Sequence, residues 1–189
     1  MKVPHRSTLL AYLLILVCGA GWWMAHDWFQ NRYVRPFSDQ TALFSGENLS
    51  LPPELAGPGR IRLVHFRDPA CPCNVGNQQH LNELIEHFGS DNGVDFYVVQ
   101  KPGTPAAASG TPEALKALSN LPGAERITAS PAVAIWDRTG KLAYFGPYSE
   151  GLTCNSGNSF IEPILNVLIE GRSVNTTNTM AVGCYCAWQ

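Results

Sequence analysis

Six cysteines are the residues of this 189-residue chain best suited to chemistry, and their spacing frames the question. Cys71 and Cys73 are separated only by Pro72, and Cys184 and Cys186 only by Tyr185, while Cys18 and Cys154 stand alone. Cys18 lies in an N-terminal apolar run and reads as a small hydrophobe. Five cysteines remain for the rest of the chain, an odd number, so they cannot all pair as structural disulfides within it. At least one sulfur is free, intermolecular, metal-bound or in exchange.

Thiol–disulfide exchange needs a thiolate, and a free cysteine with a pKa of about 8.5 becomes one more readily at a helix N-terminus. Arg60–Phe66 (RIRLVHF) reads as a buried strand, and Leu81, Leu84, Ile85 and Phe88 fall at i, i+3, i+4 and i+7 of an amphipathic helix. The Cys71-Pro72-Cys73 pair lies between them, so a strand hands over to a helix where the sulfurs sit. Attack by Cys71 on a partner disulfide gives a mixed disulfide, which Cys73 resolves by closing a Cys71–Cys73 ring. Disulfides prefer Cα atoms about 5.5–6 Å apart, which a one-residue spacer meets poorly. The spacing therefore predicts a strained, oxidising bond with an oxidase- or isomerase-like poise. The chemistry requires the two sulfurs side by side and accessible to a visiting protein.

The remaining elements follow from pattern. Val94–Gln100 is a second buried strand. Thr111-Pro112-Glu113 predicts the start of a short helix carrying Leu115, Leu118 and Leu121. Ala132–Trp136 is a third strand, turned by Asp137-Arg138-Thr139-Gly140 into an antiparallel partner at Lys141–Phe145. Phe160, Ile161, Ile164, Leu165 and Leu168 mark a last helix, with Pro163 restricted to its first turn. Strands alternating with helices and closed by a hairpin predict an α/β fold with a mixed sheet.

Lys2, His5 and Arg6 precede an uncharged stretch from Ser7 to Ala25, long enough to span a bilayer, and Trp22, Trp23, Trp28 and Phe29 suit its far interface. A retained signal-anchor is the favoured reading, ahead of a cleaved signal peptide and a lipoprotein signal. Residues 1–30 are thus a transmembrane segment, 31–59 a tether and lead-in with little core, 60–172 the folded domain and 173–189 a cysteine-containing tail. The positive flank puts the domain outside the cytoplasm, where disulfides persist. The formal net charge is −2 and no lysine- or arginine-rich run tracks a phosphate backbone, so nucleic acid is not an expected partner. No organic cofactor motif is present: the loop glycines lack a P-loop lysine.

The order of elements resembles that of the thioredoxin-like superfamily over roughly Arg60 to Gly171. Val64-His65-Phe66-Arg67-Asp68-Pro69-Ala70-Cys71 places a cysteine five residues after a strand phenylalanine, where the thioredoxin nucleophile sits. Ser130-Pro131 stands where the family has its cis-proline loop, and Asp137–Lys141 with the last helix completes the second half. The chain is most similar to an uncharacterised family of membrane-anchored bacterial thioredoxin-like proteins sharing the DPxCPC-type and YFGPY-type segments and a GC-aromatic-C tail. The resemblance implies a central mixed sheet flanked by helices after an N-terminal transmembrane helix, in the bacterial inner membrane with the domain in the periplasm. It also implies that Pro131 is cis and holds open an edge to which a substrate segment adds as a strand. Three departures stand out: only Pro72 separates Cys71 from Cys73 where thioredoxin has two residues, Asn74 replaces the usual resolving cysteine, and His65 replaces the buried acid.

The candidate catalytic set is therefore Cys71, Cys73, Pro131 and His65. His65 reads either as a proton acceptor or as a neutral histidine satisfied within its strand. His80, two helical turns beyond Cys73 and about 10 Å away, reads as a surface or helix-face histidine. Asp68 starts the turn. Cys184 and Cys186 either relay electrons to the first pair or, one of them paired with Cys154, pin the tail. The expected partners are protein thiols and disulfides of the envelope and a redox partner of unknown identity. Two rivals remain. Cys71, Cys73, Cys184 and Cys186 suit a soft metal such as copper or zinc, although zinc ribbons use longer spacers. A non-catalytic scaffold held by disulfides is the other.

Overall fold

Ile61–Arg67 (β2) is apolar on both faces, which suits the centre of a sheet rather than its rim. In the computed structural model it pairs in parallel with Val94–Gln100 (β3) and antiparallel with Ala132–Trp136 (β6). Leu115–Ala117 (β4) extends the parallel side, and Leu142–Gly146 (β7) the antiparallel side, giving five strands in the order β4-β3-β2-β6-β7. The described residues are 6–35, 44–89, 92–104, 114–149, 156–176, 178–179 and 183–189. The helices are Arg6–Tyr33 (α1), Asn74–Phe88 (α2) and Ile161–Ile169 (α3). Parallel β2 and β3 joined through a helix, followed by an antiparallel hairpin and a closing helix, make the fold thioredoxin-like.

The two faces of the sheet are covered differently. Ile61 and Leu63 point toward Leu81, Leu84 and Phe88 of α2 and toward Ile161, Leu165 and Leu168 of α3. Val64 and Phe66 point the other way, away from α2 and α3. That second face is closed by Phe44 of the short strand Phe44–Ser45 (β1), by Leu49 and Leu51, and by Tyr185 and Trp188 of the tail. β1 itself pairs antiparallel with Asn178–Thr179 (β8). The expectation of little core within 31–59 is therefore corrected: its aromatic and aliphatic residues cover apolar sheet that would otherwise meet water.

The helix expected at Leu115–Leu121 is also corrected. Leu115–Ala117 is an edge strand, and the Leu118 N–H donates to the Val98 carbonyl at 2.8 Å. Its three leucines share no face: Leu115 joins the helix side of the sheet, Leu118 and Leu121 the other. Pairing with β3 outweighs the local three-residue spacing. Thr111–Glu113 lies outside the described residues. The hairpin turn forms as expected. Asp137 Oδ1 accepts from the Thr139 and Lys141 N–H groups at 2.8 and 3.0 Å, and Gly140 takes a φ of +87°.

The chain divides into two compact units, Met1–Val34 and Arg35–Gln189. Within the first, α1 has 28 residues, a length of about 42 Å at 1.5 Å rise. Its leucines, Ile15, Trp22 and Trp23 are exposed, and it is long and apolar enough to cross a membrane. Cys18 lies on it as a free cysteine.

Candidate thiol–disulfide site

The site begins where β2 ends. Asp68 starts a tight turn: its carboxylate accepts from the Ala70 N–H at 3.0 Å and its carbonyl from the Cys71 N–H at 2.9 Å. Asn74 Nδ2 donates to the same carbonyl, and Asn77 Nδ2 donates to the Cys73 carbonyl at 2.9 Å. Asn74, in place of a resolving cysteine, thus pins the loop. Cys73 is the cap residue of α2, and no side chain caps that end. The helix therefore starts with its positive end turned toward the cysteine loop.

Across from this turn, the Ser130–Pro131 peptide bond is cis. The Cys71 Sγ lies 3.9 Å from the Ser130 carbonyl oxygen, so the first sulfur faces the cis-proline loop. The edge formed by Ala129–Ser130 (β5) is occupied. Cys186–Ala187 (β9) pairs with it antiparallel, Cys186 opposite Ser130 and Ala187 opposite Ala129. The strand that fills the substrate position implied by the family resemblance is the chain's own tail.

The tail is held at several points. Trp188 N–H donates to the Thr128 carbonyl at 3.2 Å, and Gln189 Nε2 to the Glu125 carbonyl at 2.6 Å. Lys101 Nζ lies 3.2 Å from the Asp68 carboxylate and donates to the Ala187 carbonyl at 2.8 Å, tying the turn to the tail. Tyr185 and Trp188 are only 4% and 3% exposed. The Tyr185 ring meets Phe44 edge-on at 5.3 Å between centroids, and Trp188 meets Phe66 at 5.8 Å.

Two disulfides cross between the pairs: Cys71–Cys186, with Cα atoms 5.9 Å apart, and Cys73–Cys184, at 5.5 Å. The Cys71–Cys73 ring anticipated from spacing is not the bond this state contains. Both Cα separations fall in the range disulfides prefer, which a one-residue spacer cannot easily supply. The Cys71, Cys73 and Cys186 sulfurs lie within 4.8 Å of one another. The pair is therefore side by side, as the chemistry requires, but it is not open: Cys71 is 5% exposed and Cys73 7%, beneath the tail. Pairing of a tail cysteine with Cys154 is corrected too, since both tail cysteines bond the first pair. Cys154 itself lies outside the described residues.

His65 is buried on β2, its Nδ1 2.8 Å from the Tyr148 hydroxyl and its ring edge-on to Tyr148. Burial, with the Arg67 charge adding to it, pushes its pKa down to about 3. Of the two readings open for His65, this geometry favours the neutral, satisfied histidine. His80 is not a surface residue: it is fully buried, 2.8 Å from Ser159 Oγ through Nε2, and edge-on to Tyr148. The parts of the site that residue patterns missed are Lys101, Tyr185 and Trp188. Two large aromatics within the last five residues were the available signal, because such rings seldom stay in water in numbers.

Cys71, Cys73 and Cys186 are also the described residues closest to a metal-ligand grouping. As disulfides they offer no thiolate, so a soft cation would find ligands there only after reduction.

The family described as "Domain of unknown function (DUF6436)" matches residues 40–188. No curated protein matches the chain. An uncharacterized conserved protein from Geobacillus kaustophilus is similar in structure, with a TM-score of 0.52 at 17% identity, covering 83% of this chain and 94% of that one. A hypothetical protein from Sinorhizobium meliloti 1021 has a TM-score of 0.50 at 14% identity, covering 82% and 97%. A thiol-disulfide isomerase from Corynebacterium glutamicum has a TM-score of 0.37 at 14% identity, covering 72% and 94%.

Proposed function

The chain belongs to the DUF6436 family, and we propose that it is a thiol–disulfide oxidoreductase of the bacterial envelope, with Cys71 and Cys73 as its reactive pair and Cys184 and Cys186 as their resident disulfide partners. The observation that carries the reading is the placement of both cysteines, cross-bonded to the tail, between the start of α2 and the cis-Pro131 loop. A structural staple needs none of that surrounding. It needs neither an uncapped helix start beside its sulfur nor a third sulfur within 4.8 Å. In the forward direction, two thiols of a partner protein become a disulfide, one of the two cross-bonds becomes two thiols, and the two protons the partner loses pass, through solvent, to the released sulfurs. Pro131 shapes the edge along which the tail lies. His65, held neutral, supports the strand beneath the loop. The apolar α1 helix serves as a single-pass inner-membrane anchor with the domain in the periplasm, which suits its exposed leucines and the positive residues before it.

The burial of Cys71 and Cys73 favours a second reading, a scaffold in which both bonds are staples. One assay separates the two. Oxidised full-length protein in detergent is mixed with a reduced, thiol-rich test protein. The oxidoreductase reading expects the test protein to gain disulfides as this chain loses them, and expects a chain with serine at 71, 73, 184 and 186 to transfer none. Intact cross-bonds after prolonged incubation would leave the scaffold.

A further inference from the structure

The tail raises a question of access. A visiting thiol must reach a sulfur, and the two cysteines that resemble the family's nucleophile are the covered ones. Cys71 and Cys73 are buried, whereas Cys184 and Cys186 each retain part of their surface. The edge beside Pro131, to which an outside strand would add, is taken by Cys186–Ala187. The tail is not held by its disulfides alone. Tyr185 and Trp188 are packed into the sheet face, and Lys101, Thr128 and Glu125 bond its backbone or its last side chain. Breaking one disulfide therefore leaves the tail seated and the core pair still covered.

We infer that Cys184 and Cys186 are the partner-facing sulfurs of an internal relay, and that Cys71 and Cys73 act first as leaving groups. The inference rests on the thiol–disulfide reading above. The first step is attack of an external thiolate, RS⁻, on the Cys186 sulfur. An R–S–S–Cys186 bond forms, the Cys71–Cys186 bond breaks, and the electron pair leaves on Cys71. A second thiol of the same partner then attacks its own sulfur in the mixed disulfide and releases Cys186 as a thiolate. The partner has been oxidised by two electrons and one cross-bond reduced.

Two features favour this order over attack at Cys71. Exposure is one. The other is the leaving group: exchange is faster when the departing thiol has the lower pKa, and a sulfur beside an uncapped helix start is such a thiol. Cys73 occupies the position just before the first turn of α2 and Cys71 lies two residues before it, whereas the tail cysteines sit in extended segments. The same argument applies to Cys184 and Cys73. The partner this geometry fits is a protein dithiol presented at the surface, because the edge beside Pro131 is taken while the tail is docked.

The test uses full-length protein in detergent with reduced glutathione as the probe. The Cys73→Ser/Cys184→Ser chain keeps the Cys71–Cys186 bond and removes the other two cross-bonding sulfurs, so an attacking thiol has the two sulfurs of that bond to choose from. Samples quenched in acid at early times are mapped by peptide mass spectrometry. The expected result is at least ten times more glutathione on Cys186 than on Cys71. The reciprocal Cys71→Ser/Cys186→Ser chain should favour Cys184 over Cys73, and the unaltered chain should carry its first adducts on the tail. Adducts chiefly on Cys71 and Cys73 would overturn the relay order and leave the oxidoreductase reading standing. Absence of adducts on all three folded chains would remove both.

Discussion

Trp188 illustrates how a single side chain controls the site. It is buried against Phe66 of the central strand, two residues past the cysteine bonded to Cys71. Removing a buried tryptophan side chain costs about 3–5 kcal/mol. Trp188→Ala should therefore loosen the tail, lower the urea midpoint, and raise the rate at which a small thiol reduces the cross-bonds severalfold, read by timed alkylation. His65 sets the acid limit of the fold. Its folded-state pKa of about 3 lies below the ordinary value of 6.5, so between these values the unfolded chain binds a proton that the folded one refuses. Stability from this group is complete above about pH 6.5 and is lost as pH falls toward 3. Thermal melts should show a flat Tm at neutral pH and a decline below 6.5, and His65→Asn should flatten that decline. The place of Cys71 and Cys73, between the end of a strand and the start of a helix, was legible in the sequence. Their partners were not, because connectivity depends on where a distant tail docks rather than on any local pattern.

At the scale of elements, the strands and helices with strong periodicity were readable, and the short pieces that complete the site were not. β2, β3, α2, the hairpin and α3 carry enough apolar residues in sequence to declare themselves. β4 did not, since three residues at a sheet edge owe their conformation to β3. β9 did not either: two residues form a strand only because the cis-Pro131 loop offers an edge and Tyr185 and Trp188 anchor either side. That account makes Gly183 a position to test. A Cβ there would run into the Tyr185 ring, which is itself packed on Phe44 and cannot swing aside freely. Gly183→Ala should misplace the tail by displacing that ring. The expected outcome is faster proteolysis of the last residues and a stability loss of about 1–3 kcal/mol, the usual cost of overpacking.

At the scale of the molecule, the sheet has one face closed by helices and the other by the lead-in and the tail, and both cross-bonds tie that tail to the start of α2. The cross-bonds close loops with sequence separations of 115 and 111 residues. Chain entropy alone gives a bond over a loop of that size about 4–5 kcal/mol, and two nested bonds add less than twice that. Full reduction should lower Tm by about 10–20 °C while the sheet persists at room temperature, because the aromatic packing and backbone bonds of the tail remain. The most direct test of the central claim is equilibration of the folded full-length protein in thiol/disulfide buffers of graded potential, followed by mass-shift alkylation without denaturant. The account predicts that Cys71, Cys73, Cys184 and Cys186 gain and lose thiols reversibly, with the far-ultraviolet spectrum of the fold retained. Thiols that appear only when the protein unfolds would contradict it.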